Sequence, residues 1–316
     1  MKILTIGELI VEITATTRGD RFLEPQPLFG PFPSGAPAIF ISQVARFGVP
    51  CAMIACVGDD DFGKLNIDRL RADGVDVSAI ATLPGECTGS AFVRYNTAGG
   101  RHFVFNIEKS ASGRISSTPA TEAAIKGSSH LHIMGTALSV AATRDMVLHA
   151  MARIKAHGGT VSFDPNVRPE LLRDRSAEAT MRRVLAETDI FLPSGDELFT
   201  FVDAPNEEEA VRALHQAGVG VVVVKRGAEG ATLFDAAGRY DVAPIAVEEV
   251  DPTGAGDCFG AAFVGAWLSG FRREAALAYA NAAGAACVTR VGPMEGALTR
   301  AELDGFLHHA AGIGAL

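Results

Sequence analysis

The sequence lacks the marks that would direct it to a membrane, a nucleic acid or a disulfide scaffold. No apolar run reaches the roughly 20 residues needed to span a bilayer, and the richest stretch, 254–268, is short and broken by glycine. Positive charge is in the minority: 28 Lys and Arg against 37 Asp and Glu leave a formal net charge of −9. Nothing in that balance suggests a basic face for nucleic acid or anionic lipid, and Arg182-Arg183 and Arg272-Arg273 read as solvated helix faces. The five cysteines, at 51, 56, 87, 258 and 287, have no CxxC spacing and read as reduced, mostly buried thiols. Met1 leads directly into Lys2-Ile3-Leu4-Thr5-Ile6-Gly7, a buried-strand pattern without the long apolar stretch and cleavage site of a signal peptide, so a cytoplasmic location is expected. No GxxxxGK[ST] occurs, and no early strand-turn-helix glycine fingerprint, which argues against a P-loop kinase and a Rossmann dehydrogenase. His130 and His132 fall on one strand face without further ligands in a zinc pattern, so they read as structural.

What is present is a chain of 316 residues, 48% hydrophobic, able to bury one large core or two modest ones. Strand-like runs alternate with helical periodicity, which predicts an α/β layer structure with a largely parallel sheet. Strands are expected at 2–6, 51–57, 130–134, 160–163, 190–192 and 220–224, and helices at 37–47, 62–73, 141–157, 177–187 and 207–216. A hairpin is expected from 231–234 and 239–242. The stretch 80–107 breaks the rhythm: Ser90-Ala91-Phe92-Val93-Arg94-Tyr95 and His102-Phe103-Val104-Phe105 alternate about a turn at 97–100, the grammar of an antiparallel hairpin. With 11–14 and a piece near 27–32 it predicts a small separate sheet, or alternatively an edge hairpin of the main one. Neither repeat nor low-complexity linker divides the chain, so 1–316 is read as one domain with inserted segments at about 9–32 and 80–108.

The densest chemistry lies at Asp251-Pro252-Thr253-Gly254-Ala255-Gly256-Asp257, followed by a small-residue apolar helix. Gly254 and Gly256 let successive N–H groups converge at a helix start, where the macrodipole adds positive potential and anions are favoured. A carboxylate there repels phosphate, so Asp257 reads as a base that takes a proton from an attacking hydroxyl. An ordinary capped helix start is the competing reading. Three aspartates at 59–61 read as solvated and capping, because adjacent side chains diverge.

The septet and the helix after it resemble the C-terminal signature of the ribokinase-like, or phosphofructokinase-B, carbohydrate kinases. Gly35-Ala36 followed by Val44-Ala45-Arg46-Phe47-Gly48 and by 57–63 resembles the N-terminal signature, with Ser34 and Ile39 where the family usually has Gly and Asn. The resemblance implies a three-layer α/β ribokinase-like fold, a mainly parallel central sheet flanked by helices, in which the small sheet is a β lid over a sugar. It implies Asp257 as catalytic base and the Gly254-Ala255-Gly256 amides as anion hole. It puts Glu8, Gly35, Ala36, Phe105 and the Asn166 and Arg168 of Asp164-Pro165-Asn166-Val167-Arg168-Pro169 at the sugar, with Arg168 also near the transferred phosphoryl. Ser194, Lys225, Gly227, Gly230, Gly254, Gly256 and Asn281 are implied at the nucleotide. Glu197 is implied to act on magnesium through water, although Ser194 with Glu197 is equally a capping box. Asp251 and Thr253 are implied near a monovalent cation, potassium in some relatives.

The expected activity is therefore transfer of the γ-phosphate of ATP, with Mg2+, to a terminal hydroxymethyl of a small sugar. The pattern is nearest fructokinase, tagatose kinase and 2-keto-3-deoxygluconate kinase. Acid-sugar kinases carry an Arg on the second lid strand where Ile107 stands here, which favours a neutral ketohexose unless Arg94, Arg101 or Lys109 takes that place. A 2-keto-3-deoxygluconate kinase, a nucleoside kinase and a non-catalytic sugar-binding regulator are the alternatives. No nucleic-acid or membrane partner is expected, and a homodimer through the lid is a family tendency.

Overall fold

The computed structural model describes residues 1–98, 100–168 and 175–313, with the side chains of 175 and 311–313 left aside. Gly99 in the hairpin turn and Pro169 closing the 164–169 motif lie outside the described residues.

Nine strands make the large sheet, in the spatial order Gly238–Val242, Ala231–Asp235, Val221–Lys225, Ile190–Phe191, Thr160–Asp164, His130–Met134, Ile3–Ile6, Cys51–Gly58 and Ile80–Leu83. All neighbours are parallel except for the two pairings of Ala231–Asp235, which are antiparallel. Central strands are buried along their whole length, as parallel strands covered on both faces must be. Their alternating side chains feed two separate cores: Ile3, Met53, Val221 and Val223 join one, and Leu4, Ile54, Val222 and Val224 the other. Helices Ala36–Arg46, Asp61–Asp73, Ala255–Leu268, Arg273–Cys287 and Arg300–Ile313 cover the first face. Pro119–Lys126, Ala141–Ala156, Arg175–Ala186, Glu197–Phe201 and Glu207–Gln216 cover the second. The expected three layers are present, with helices packed on both faces of the sheet. The helix Pro119–Lys126, not among those expected, is announced by its capping residue Thr118 and by Pro119 at its first position.

A separate four-stranded sheet has the order Leu28–Ser34, Ile10–Ala15, Gly89–Tyr95, Arg101–Asn106. Its hairpin turns on Asn96, whose Oδ1 accepts from the N–H groups of Ala98 and Gly100 at 3.0 and 2.8 Å. One expected boundary is corrected. Ile80–Leu83 pairs in parallel with Cys51–Gly58 and forms the edge of the large sheet, reached by a crossover through helix Asp61–Asp73. Alternation alone does not separate the two sheets, because a half-buried edge strand shows the same period-2 pattern as a hairpin strand.

Candidate active site

Helix Ala255–Leu268 starts from Gly254, whose φ of 84° is left-handed; a Cβ there would lie 2.4 Å from the Pro293 carbonyl oxygen. Conformation and space both demand glycine. In the first helical turn the Asp257 carboxyl is buried, and its Oδ1 accepts from Asn166 Nδ2 at 3.2 Å. Burial, then the neighbouring charge of Asp164, push its pKa up to about 7, while Lys225 and Arg168 pull it back. A carboxyl poised there exchanges protons readily near neutral pH.

Asn166 and Arg168 stand on the turn after strand Thr160–Asp164, at the carboxyl edge of the sheet where open α/β sheets bind ligands. Asn166 has φ 37°, a left-handed geometry that Asn tolerates, and its N–H bonds Asp164 Oδ1 at 3.1 Å. Asp164 Oδ2 accepts from Lys225 Nζ, at the end of strand Val221–Lys225, and both groups are buried. Glu197 staples the same turn: its two carboxylate oxygens accept from Val167 N–H and Ser194 N–H, each at 2.7 Å. Half of the expected capping box is therefore present. The helix that follows is capped at Asp196, with no side-chain bond. Burial and the charge of Asp164 raise the Glu197 pKa.

Glu8, Gly35, Ala36, Phe105, Asn166, Arg168, Gly254 and Asp257 line one cavity, between the small sheet and the carboxyl edge of the large one. Glu8 follows the first strand; its Oε1 accepts from the Thr136 hydroxyl at 2.6 Å, and burial pushes its pKa up to about 7. Gly35, at φ 110°, allows backbone contact: a Cβ would meet the Glu8 carbonyl oxygen at 2.4 Å. Ile39 and Ile107 are apolar wall in that cavity.

Three lining groups, Phe103, Thr136 and Glu12, escaped sequence reasoning, and a fourth, Arg101, is one of the cations it left open for a substrate carboxylate. Arg101 and Phe103 share the cavity face of their strand with Phe105, and both Arg101 and Arg168 approach the Phe103 ring, at 5.6 and 6.0 Å. Thr136 orients Glu8. Glu12, two residues beyond Ile10 on the same strand face, is 3% exposed and Oε1 has no hydrogen-bond partner. Its signal was legible: an acid inside the apolar run Ile10-Val11-Glu12-Ile13 is costly unless it has work to do. Burial, then Asp251, push its pKa up to about 8, against the pull of Arg101. The native state thus holds protons on Glu8, Glu12 and Asp257 that the unfolded chain has already released. Stability falls as pH rises from about 4.5 through 8, since the native state binds more protons across that window. Accordingly, Glu12→Gln raises the thermal midpoint at pH 8.5 and hardly changes it at pH 4.5, as read by scanning calorimetry.

The second cavity is lined by Ser194, Lys225, Gly227, Gly230, Ala255, Gly256 and Asn281, with residues 244–247 as an outer wall. Gly227 and Gly230 have φ of 53° and 89°, and a Cβ on Gly230 would lie 2.1 Å from the Val242 carbonyl oxygen. Asn281 Nδ2 donates to the Ala243 carbonyl at 2.7 Å, fixing the start of that outer wall. The two cavities meet at the septet: Thr253, Gly254 and Asp257 face the first, and Pro252, Ala255 and Gly256 the second. Asp251 lies behind the turn, accepting from Tyr95 OH at 2.9 Å and from the N–H groups of Thr253 and Gly292 at 3.0 Å each.

Elsewhere the structural readings are realised. Ser162 Oγ bridges His130 Nε2 and His132 Nδ1, both at 2.7 Å. Asp60 caps helix Asp61–Asp73 by accepting from Gly63 N–H. Cys51, Cys56, Cys258 and Cys287 are free and buried; Cys87 is free and exposed.

Comparison with known proteins bears directly on this geometry. A family model described as pfkB family carbohydrate kinase matches residues 1–300. The 2-dehydro-3-deoxygluconokinase of Thermoproteus tenax is 32% identical, over 91% of this chain and 88% of its own. An E. coli protein provisionally named ribokinase II, solved in complex with ATP and Mg2+, is 46% identical and superposes with a TM-score of 0.91, over 98% of this chain and 99% of that one. A Vibrio cholerae fructokinase double mutant, bound to fructose, ADP and potassium ion, is 27% identical with a TM-score of 0.83, over 97% and 98%.

Proposed function

The chain belongs to the pfkB family of carbohydrate kinases, and from that premise we propose that it transfers the γ-phosphoryl of ATP to a terminal hydroxymethyl of a ketohexose, fructose-like or tagatose-like. The observation that carries the reading is the junction of two cavities at one helix N-terminus, with a buried carboxyl of pKa about 7 beside it.

In this account the sugar lies under the small sheet, which acts as its lid, and the nucleotide lies in the cavity of Ser194, Lys225, Gly227, Gly230 and Asn281. Asp257 accepts the proton as the sugar hydroxyl oxygen attacks phosphorus and the bond to the ADP oxygen breaks. The amides of Gly254, Ala255 and Gly256, the Lys225 ammonium and the Arg168 guanidinium stabilise the phosphoryl in transit. Glu8, Glu12 and Asn166 bind sugar hydroxyls, and Phe105 closes over them. Closure excludes water, which would otherwise compete as acceptor. Magnesium bound with the nucleotide would supply neutralising charge to its phosphates. With both its oxygens engaged by N–H groups, Glu197 would act on that ion through water and hold the 164–168 turn at the same time.

A potassium ion fits this site less well. Asp251 Oδ1 already accepts from Tyr95 and Thr253 and Oδ2 from Gly292, and the Thr253 carbonyl accepts from the Cys287 thiol at 3.4 Å. The carboxylate charge is met by hydrogen bonds, and no step here depends on a cation at Asp251 and Thr253.

The ketohexose reading rests on the apolar wall of Ile10, Ile39, Ala91 and Ile107. A sugar acid such as 2-keto-3-deoxygluconate is the second reading, favoured by Arg101 in the same cavity and by the T. tenax relative. Exposed Leu23, Leu28, Phe29 and Val104 on and beside the small sheet support a homodimer through that sheet. No helix among the described residues is long and apolar enough to cross a membrane; the proposed location is the cytoplasm.

A coupled ADP-release screen over neutral ketoses, aldoses, sugar acids, sugar phosphates and nucleosides tests the assignment. The expected result is highest kcat/KM on a neutral ketose. Preference for a sugar acid overturns the Ile107 argument, and turnover of none favours a sugar-binding regulator.

A further inference from the structure

The small sheet touches the septet turn through Tyr95 and the neighbouring loop at Gly292 through Phe32, and both contacts converge on one carboxylate. Tyr95, the last residue of strand Gly89–Tyr95, donates its hydroxyl to Asp251 Oδ1 at 2.9 Å and lies 3.1 Å from Thr253 Oγ1. Phe32, on strand Leu28–Ser34, packs on Gly292, where an added Cβ would sit 2.7 Å from the ring. Gly292 N–H in turn bonds Asp251 Oδ2 at 3.0 Å. Asp251 also accepts from Thr253 N–H, one residue before the anion-binding amides begin. The sheet that covers the sugar cavity therefore supplies one of the three donors to a buried carboxylate that shapes the phosphate turn, and braces the loop that supplies another.

We propose that Tyr95 is a positioning residue, whose hydroxyl ties the small sheet to the septet so that seating of the sheet over its ligand orders the amides that receive the phosphoryl group. The inference rests on the kinase reading of the site. Its physical basis is the cost of leaving a buried carboxylate short of a donor. With the sheet seated, Oδ1 has both its partners, and Thr253 is held between the Tyr95 hydroxyl and Asp251. With the sheet lifted, or the hydroxyl removed, Asp251 recovers its donor only by admitting water, and the turn from Thr253 onward loses its fixed register. Lid and anion hole then behave as two coupled states, so sugar binding and nucleotide binding strengthen one another. Premature transfer to water is suppressed for the same reason, since the anion hole is complete only beneath a seated sheet.

Tyr95→Phe keeps the ring and removes the hydroxyl. The expected result in hydrogen exchange read by mass spectrometry is amides of 251–257 exchanging about tenfold faster, the scale of one lost hydrogen bond to a charged acceptor, with strands Gly89–Tyr95 and Arg101–Asn106 unchanged. Binding of Mg·AMP-PNP weakens several-fold. With the best sugar from the screen, kcat falls about tenfold while the sugar KM stays within threefold, which a residue that only seals the cavity would not produce. The proposal is overturned by unchanged exchange at 251–257, by exchange that rises equally in the two strands, or by a loss carried by the sugar KM with kcat intact. The exchange and AMP-PNP measurements need no sugar, so they decide the role of Tyr95 even if every sugar in the screen fails.

Discussion

Asp257→Asn lowers kcat by about 10²- to 10⁴-fold, the range of a positioned general base, and leaves the affinity for Mg·AMP-PNP within about threefold. Asparagine has the same volume, and its amide oxygen still accepts from Asn166, so the pocket keeps its shape. What disappears is the atom that takes the proton. The parent enzyme adds a second signature: its kcat rises with pH through about 7, because the active form is the carboxylate and burial has raised its pKa to that value. The rise is absent in the asparagine variant. Activity within tenfold of the parent, or an unchanged pH limb, contradicts the assignment.

Lys225→Met has the next largest effect, about 10²- to 10³-fold in kcat, as expected when one preorganised stabiliser of developing charge is lost. The ammonium borders the second cavity, and a Cβ placed on Gly256 would lie 3.6 Å from Nζ, so it is beside the backbone of the septet itself. Two further consequences separate this role from simple nucleotide affinity. Lys225 is among the charges that hold the Asp257 pKa down, so its removal moves the acid limb of kcat to higher pH. It is also the partner of Asp164, and an uncompensated buried carboxylate costs about 3–5 kcal/mol of stability. Adding Asp164→Asn to Lys225→Met therefore restores much of the thermal midpoint without restoring kcat. A variant within threefold of the parent, with its pH limb in place, sinks the role.

The septet was readable because its constraints are local. Gly254 must adopt a left-handed φ, and the helix follows at once, so seven consecutive residues carry the whole signal. The large sheet was readable for a similar reason: continuous apolar runs such as Val221–Val224 separated by helical periodicity leave few topologies. What stayed hidden depends on distance along the chain. Lys225 finds Asp164 across 61 residues and Tyr95 finds Asp251 across 156, and no periodicity links such pairs. Lys225 was placed at the nucleotide by resemblance; that it sits at the junction through a buried ion pair is visible only in three dimensions. Glu197 shows the reverse case. Its spacing from Ser194 suggested a cap, whereas its second oxygen serves Val167 on another segment, so one carboxylate couples two loops at the site. Ile80–Leu83 was misassigned to the small sheet because an edge strand and a hairpin strand alternate alike, and only pairing with Cys51–Gly58 separates them.

If one cavity presents a sugar hydroxyl to phosphorus held at the septet, the transferred group must end on the sugar. Incubation with [γ-32P]ATP, magnesium and the ketose that releases ADP fastest should place the label in a sugar phosphate, one equivalent per ADP formed. Label found only in inorganic phosphate, or on the protein, would contradict it.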